Sequence, residues 1–299
     1  MVLTPEAAAD LAAEEADTRP RVSEPGADIE ACRRDIVESE LAEERRAVPY
    51  VRDVDADGVP CRIFRPVPGA ATIAYVHGGG WVLGDLDSHD RFCRELALRT
   101  GWAVVAVHYR RAPEHTYPAP LDDVETALRW VCEQAYEHEI DASTVVGVGD
   151  SAGANLVAGM SVRDPEVFAY QVLVYPPLDP RCGSASFVSE DIALLSAAEM
   201  RWYWEAYAPS AQLRQSPEVA PAYAGDLSAM PPTLLLTAEH DILRDEGEAF
   251  AARLAEAGVS VAAHRCLGVA HGFWPRPWDF QAADACLDQL AGVLSRLRP

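Results

Sequence analysis

The chain has 299 residues, of which 47 are acidic and 25 are arginine or lysine, and its formal net charge is −22. So acidic a surface repels phosphate backbones and anionic lipid head groups, which argues against binding to nucleic acids and to membrane surfaces. Its apolar runs are shorter than the roughly 20 residues of a membrane span, and its acidic start is not typical of a secretory signal. The length and an apolar content of 49% are consistent with one α/β domain over residues 1–299.

Seven cysteines are scattered along the chain and form no Cys-x-x-Cys pair. This spacing argues against a disulfide framework and against a zinc site, and no group of histidines and carboxylates has the spacing of metal ligands. We therefore expect a protein of the reducing cytoplasm that uses neither a metal nor another cofactor.

Residues 1–46 are predicted to form one or two amphipathic helices, with Thr4 as the N-cap and Pro5 in the first helical position. Two strands are predicted next, over residues 50–54 and 59–64. They are joined at Asp57-Gly58, a dipeptide that is typical of hairpin turns.

From residue 71 onward, short apolar runs alternate with helical patterns. The predicted strands cover residues 71–76, 103–109, 144–148, 170–174, 233–237 and 259–264, and the predicted helices cover residues 91–99, 121–136, 152–164, 246–256 and 281–297. This alternation predicts a mostly parallel sheet with helices on both faces. Residues 179–216 interrupt it with a loop and a helix rich in large aromatic residues. Strand 259–264 is a candidate edge strand, and pairing across it would build a homodimer.

A serine lies in a tight turn between a predicted strand and a predicted helix, in the segment Gly149-Asp150-Ser151-Ala152-Gly153. In that context Gly-x-Ser-x-Gly exposes the serine hydroxyl, and the two glycines avoid collisions with the neighbouring strand and helix. The N–H of Ala152 lies at a helix N-terminus, where it can bind an anion. A strand-to-helix turn without chemistry is the alternative, and the pentapeptide alone does not separate the two.

Ser151, Asp241 and His271 each follow the carboxyl end of a predicted strand. Ligands bind at that edge of an open α/β sheet. A serine needs a base to act as a nucleophile, and the histidine needs a carboxylate that fixes its tautomer. The order serine, aspartate, histidine is that of α/β hydrolases. Asp245 and Glu239 compete with Asp241 for the carboxylate role, and Asp245 is predicted instead to cap the following helix or to lie exposed.

Three glycines, Gly78, Gly79 and Gly80, follow an earlier strand and can turn their N–H groups toward a substrate oxygen. With the N–H of Ala152 they are candidates for an oxyanion hole. Large aromatic residues near these loops are candidates for a substrate pocket, and core packing is expected for at least half of them. They are Trp81, Trp202, Trp204, Phe273 and Trp274. Four histidines are expected to be structural, namely His77, His108, His240 and His264.

The segments HGGGW at 77–81 and GDSAG at 149–153 resemble the motifs of the hormone-sensitive-lipase family of α/β-hydrolase esterases. The resemblance extends from about residue 75 to residue 273 through matches at 109–114, 118–123, 175–176, 240–247 and 271–273. It implies an α/β-hydrolase fold, with an eight-stranded sheet and a helical cap formed here by residues 1–46 and 180–216. It also implies that Gly79, Gly80 and Ala152 bind the oxyanion and that Asp150 supports them. Ala154 departs from the pattern, since the family often has glycine there.

These observations predict a serine carboxylesterase that acts on small soluble esters with short acyl groups through an acyl-enzyme. The small-molecule ester is the only partner that the sequence implies, apart from a second copy of the chain. Two alternatives stay open. One is a deacetylase that removes an O- or N-acetyl group from a particular metabolite with the same triad. The other is a non-catalytic ligand-binding receptor on the same scaffold, although a complete triad counts against it.

Overall fold

The computed structural model describes residues 2–192 and 194–297. Its sheet has eight strands in the order β1-β2-β4-β3-β5-β6-β7-β8. The strands are β1 (Tyr50–Ala56), β2 (Val59–Arg65), β3 (Ala70–Val76), β4 (Ala103–Val107), β5 (Ile140–Asp150), β6 (Tyr170–Val174), β7 (Thr233–His240) and β8 (Val261–Ala270). β2 pairs antiparallel with β1 and with β4, and the other neighbours are parallel. The predicted fold class, a mostly parallel eight-stranded sheet, is confirmed.

Helices cover both faces of this sheet. The α-helices of the described residues are α1 (Pro5–Ala16), α2 (Ile29–Leu41), α3 (Asp90–Thr100), α4 (Ala119–Gln134), α5 (Ala152–Arg163), α6 (Ala185–Ser189), α7 (Ala197–Tyr207), α8 (Arg244–Glu256) and α9 (Gln281–Leu294). Alternate residues of β3 enter two different cores, because successive side chains of a strand point to opposite faces. Ile73 and Tyr75 pack with α3 and α9, whereas Ala74 and Val76 pack with α4, α5 and α8.

Local signals placed most element ends to within a few residues. Thr4 caps α1 through its hydroxyl, which accepts the N–H of Ala7, and Pro5 opens the helix as predicted. The last strand is the largest difference, since the prediction for 259–264 began too early and stopped six residues too soon. β8 continues because its pairing with β7 runs on to Ala270, opposite His240. This long-range register delivers the chain directly to His271.

The N-terminal segment is tied to the body of the protein by buried and half-buried ion pairs and hydrogen bonds. The guanidinium of Arg33 on α2 donates to the carbonyl oxygens of Val82 (2.8 Å) and Ala112 (3.0 Å) and to the carboxylate of Glu114 (2.9 Å). Arg33 is 7% exposed, so these partners replace the water that it loses on burial. In the described part of the chain, every helix is too short or too polar to span a bilayer.

Candidate active site

The turn between β5 and α5 holds Ser151 in a strained conformation. Ser151 has φ 50° and ψ −123°, a region that residues with a side chain rarely occupy. The turn is tight enough that a Cβ added to Gly149 would lie 2.5 Å from the carbonyl carbon of Gly153. A Cβ added to Gly153 would collide with the carbonyl oxygen of Val76 at the end of β3. Both glycines are therefore required for the reason predicted from the sequence.

The structure brings Ser151, Asp241 and His271 together at the carboxyl edge of the sheet. Nε2 of His271 lies 3.0 Å from Oγ of Ser151, and Nδ1 of His271 lies 2.8 Å from Oδ2 of Asp241. The second carboxylate oxygen of Asp241 accepts the N–H of Leu243 at 2.9 Å. Asp241 is 1% exposed. The carboxylate that holds the imidazole is therefore shielded from water, and its hydrogen bond with the backbone of Leu243 fixes its orientation. This arrangement can pass a proton from the hydroxyl to Nε2.

The two competing carboxylates are engaged elsewhere. Oδ2 of Asp245 accepts the N–H of Ser186 in the first turn of α6 at 2.8 Å, and Glu239 accepts the N–H of Gly268 at 2.7 Å. The prediction that Asp245 caps its own helix or lies exposed is wrong. Its backbone partner, Ser186, is 59 residues away in the chain, and a local pattern does not reveal such a contact.

The glycine loop after β3 lies beside Ser151. Gly79 and Gly80 line the cavity that contains the serine, with φ values of 107° and 60° that favour glycine. The N–H of Gly78 instead donates to Oδ1 of Asp150 at 3.2 Å, an oxygen that also accepts the hydroxyl of Tyr75 at 2.6 Å. The expectation that Gly78 belongs to the oxyanion hole is therefore corrected, because its donor is already used. Asp150 supports the loop, as the resemblance implied.

His77 also supports this loop, as expected for a structural histidine. Its ring stacks on Tyr109, with ring centroids 4.4 Å apart, and its Nδ1 donates to the carbonyl oxygen of Gly78 at 2.8 Å. Burial lowers the pKa of His77 well below the usual range. The ring is therefore neutral at physiological pH and acts as a spacer behind the glycines.

The cavity that contains Ser151 has a volume of about 170 Å³. Of the predicted pocket residues, Trp81 lines it. Trp202, Trp204 and Phe273 are not among the described residues that line it, and a role for them in substrate binding stays a prediction. Trp204 packs behind Trp81, with ring centroids 4.7 Å apart, and Phe273 belongs to the core with Trp274.

Sequence reasoning missed several of the residues that do line the cavity, including Tyr203, Met200, Leu194 and Leu195. Met200 and Tyr203 are three residues apart on α7 and share its buried face, whereas Trp202 is half-buried on another side. Helical periodicity within residues 197–207 was the signal that could have found them. Tyr175 was also missed, and its ring lies 4.4 Å from the ring of His271.

Glu246, in the first turn of α8, is an unusual buried carboxyl next to the site. Its Oε1 accepts the N–H groups of Leu178 (2.6 Å) and Asp179 (3.2 Å). Burial raises the pKa of Glu246 to about 8, because the charged form loses its hydration, and the nearby charges of Asp179 and Asp241 add to the effect. The two N–H donors offset only part of that rise.

Glu246→Gln is expected to weaken the pH dependence of the free energy of unfolding. Between its ordinary pKa of 4.5 and its folded value of about 8, Glu246 binds more protons folded than unfolded. Its contribution is therefore complete below pH 4.5 and is lost as the pH rises through 8. The Tm of Glu246→Gln relative to the unsubstituted protein should increase between about pH 5 and pH 9, as measured by thermal denaturation.

Glu248, on the same helix, is the matched control for this prediction. Its hydrogen bond with Arg265 lowers the pKa of the Glu248 carboxyl, so its contribution to stability is present at neutral pH and is lost on acidification. Glu248→Gln should therefore lower Tm at neutral pH and have less effect in acid. A Glu246→Gln variant with the same pH dependence as the unsubstituted protein would contradict the assignment.

Comparisons with known proteins agree with this geometry. The family described as alpha/beta hydrolase fold matches residues 73–275. An ethyl acetate hydrolase of Pseudomonas putida is 37% identical over 254 residues, which cover 81% of this chain and 80% of that protein. A carboxylesterase of Mycobacterium tuberculosis is 39% identical over 246 residues, which cover 78% of this chain and 76% of that protein.

Among solved structures, a hyperthermophilic esterase from the archaeon Pyrobaculum calidifontis superposes with a TM-score of 0.91 at 34% sequence identity, and 99% of each chain is covered. The family match includes the glycine loop and the serine turn, the structural match covers the whole sheet that positions them, and the relatives named above are esterases. The chain therefore belongs to the hormone-sensitive-lipase branch of the α/β-hydrolase family and is a carboxylic ester hydrolase.

Proposed function

We propose that the chain hydrolyses small esters with short acyl groups through an acyl-enzyme on Ser151. The observation that carries this proposal is the continuous chain of contacts from Oγ of Ser151 through His271 to Asp241, at 3.0 and 2.8 Å. His271 takes the hydroxyl proton as Oγ attacks the ester carbonyl, and Asp241 stabilises the imidazolium. The N–H groups of Gly79, Gly80 and Ala152 bind the developing oxyanion.

His271 then gives the proton to the departing alcohol, which leaves the acyl group on Ser151. In the second half of the reaction, water loses a proton to His271 and attacks the acyl carbonyl, and the acid is released as Oγ recovers its proton. Tyr175 packs against the imidazole and limits its rotation during both proton transfers. The same three side chains therefore serve both steps.

The size and lining of the cavity support a short acyl group. Its volume is about 170 Å³, and Trp81, Met200 and Tyr203 fill the space around the serine. A long acyl chain would need these buried side chains to move, which costs packing energy. One relative is named for the hydrolysis of ethyl acetate, an ester of matching size.

Pre-steady-state kinetics with p-nitrophenyl acetate test this proposal. We expect a burst of p-nitrophenol equal to the concentration of active sites, followed by a slower steady rate, and labelling of Ser151 by an organophosphonate. Activity that persists after complete labelling of Ser151 would contradict its role as the nucleophile. Tight binding of esters with neither turnover nor labelling would favour the receptor alternative.

We also propose that residues 1–46 and 180–216 form a cap over this site, within a single domain spanning residues 1–299. Two observations support the cap. Met200 and Tyr203 of α7 line the cavity, and Arg21 joins the two segments through an ion pair with Glu199 at 2.9 Å. Limited proteolysis should release the N-terminal segment only with loss of esterase activity.

A homodimer built through β8 is a further proposal. β8 is an edge of the sheet, and Leu267 on it is 67% exposed. An unpaired edge offers N–H and C=O groups to a second copy. Light scattering at physiological ionic strength should then give twice the mass of the chain.

We propose that the protein is located in the cytoplasm, since all seven cysteines are free thiols.

A further inference from the structure

Two cavities meet beside the serine. The inner cavity, of about 170 Å³, contains Ser151 and His271. An open cleft of about 620 Å³ lies next to it, between the N-terminal helices and α7. Leu194 and Tyr203 line both spaces. These two side chains therefore form the partition between the reacting atoms and the larger cleft.

The lining differs on the two sides of the partition. On the inner side, Trp81, Leu195 and Met200 present apolar surface to the serine. On the outer side the lining is rich in charged residues, among them Glu14, Asp35, Glu40 and Arg276. An alkyl chain gains free energy only while it stays in apolar surroundings. The partition thus limits both the length and the polarity of the ester groups that fit beside the serine.

The ring of Tyr203 lies directly on the glycine loop. Its Cγ, Cδ1 and Cε1 atoms occupy the position that a Cβ on Gly80 would take, so ring and backbone are in close contact. Tyr203 is 8% exposed, and the ring of Trp202 packs edge-on against it with centroids 5.3 Å apart. The ring therefore fills the space next to one of the proposed oxyanion donors.

The helix that carries Tyr203 is fixed at its start. Ser196 and Glu199 form a capping box on α7, in which each accepts the backbone N–H of the other, at 3.1 and 3.2 Å. Glu199 also binds Arg21 of the N-terminal segment at 2.9 Å. These contacts lie one turn before Tyr203, so its ring is held in place by the fold and not only by its own rotamer.

We infer that Tyr203 is a specificity-determining residue that limits the size of the ester by closing the inner cavity at the glycine loop. The inference rests on the proposed function, since it concerns substrate selection at the same serine. It assigns the enzyme to esters whose acyl and alcohol portions near the carbonyl are short and apolar. Removing the ring should extend the inner cavity, but only as far as the charged lining of the cleft.

The test compares Tyr203→Ala with the unsubstituted enzyme on two series of esters. One series is p-nitrophenyl acetate, butyrate, hexanoate and octanoate, and the other is acetates of alcohols from ethanol to octanol. Each newly buried methylene should raise kcat/KM roughly fourfold, since its burial contributes ~0.8 kcal/mol. We expect the ratio of four-to-six-carbon chains to the shortest ester to rise at least tenfold in one series, mainly through KM, with no further gain at eight carbons.

Leu194→Ala removes the other side chain of the partition and should shift the same ratio in the same direction, which keeps the inference testable if Tyr203→Ala does not fold. Tyr203→Phe retains the ring and should retain the preference for short chains. Val188→Ala, a truncation at a 79% exposed position of α6, is the control for a change elsewhere in the proposed cap.

Unchanged chain-length profiles of folded Tyr203→Ala and Leu194→Ala in both series would overturn the inference. That result would leave the proposed function intact if the burst on p-nitrophenyl acetate and the labelling of Ser151 are observed. Failure of the burst and of the labelling in the unsubstituted enzyme would instead overturn the proposed function itself.

Discussion

Ser151→Ala is expected to lower kcat for ester hydrolysis by roughly 10⁴–10⁶-fold. In the proposed mechanism, loss of Oγ leaves no atom to form the acyl intermediate and removes the group that His271, 3.0 Å away, would deprotonate. Residual rate would come from the proposed oxyanion donors and from substrate positioning. The measurement is steady-state kinetics with p-nitrophenyl acetate on protein whose folding is verified by Tm.

Ser161→Ala is the matched control for this substitution. Ser161 also lies on α5 and is fully buried, but its hydroxyl bonds the carbonyl oxygen of Val157 and the side chain of Gln171. This variant should lose about 1 kcal/mol of stability, the usual value of one hydrogen bond, and keep its activity. A folded Ser151→Ala protein that keeps more than about a hundredth of the original kcat would contradict the assignment of Ser151 as the nucleophile.

Asp241→Asn is expected to lower kcat by roughly 10³–10⁴-fold with little change in fold. The N–H of Leu243 must face an acceptor, so the amide oxygen of the asparagine should take the position of Oδ1. The amide NH₂ would then face Nδ1 of His271 in place of Oδ2. An NH₂ group there selects the tautomer with the proton on Nε2, and that nitrogen can no longer accept a proton from Ser151.

Asp245→Asn is the control that distinguishes the role of Asp241 from that of the neighbouring carboxylate, Asp245. Asp245 binds Arg244 and the N–H of Ser186, so its loss should destabilise the start of α6 and change kcat little. Kinetics of the two variants at several pH values, with Tm measured in parallel, provide the comparison. If Asp245→Asn cost more activity than Asp241→Asn, the proposed roles of these two residues would have to be exchanged.

Features that depend on residues adjacent in the sequence were predictable from the sequence. The serine turn needs small residues at Gly149 and Gly153, and the order of Ser151, Asp241 and His271 along the chain matched their positions at strand ends. Features that depend on contacts across the fold were not. Asp245 accepts a backbone N–H of a helix 59 residues away, and the N–H of Gly78 donates to Asp150. Both outcomes follow from distances that become visible only when the sheet is assembled.

The substrate cavity shows the same division. Trp81 follows the glycine loop directly, so its place beside the serine was accessible to local reasoning. Trp202 and Trp204 on α7 were candidates for the pocket, with core packing expected for at least half of the aromatic set, and the turn of the helix decides which side chains face the cavity. Tyr203 faces the site, Trp204 packs behind Trp81, and Trp202 lies on another side of the helix. Residue type was a weaker guide than helical phase.

Arg33 makes the N-terminal segment part of the support of the glycine loop. A chain that starts at residue 47 would keep strands β1–β8 and all three side chains of the proposed triad, yet it would lack the guanidinium that binds the carbonyl oxygen of Val82, two residues after Gly80. That carbonyl, the carbonyl of Ala112 and the carboxylate of Glu114 would each lose a charged donor. Removal of the N-terminal helices is therefore expected to disturb the glycine loop from a distance, through the lost contacts of Arg33.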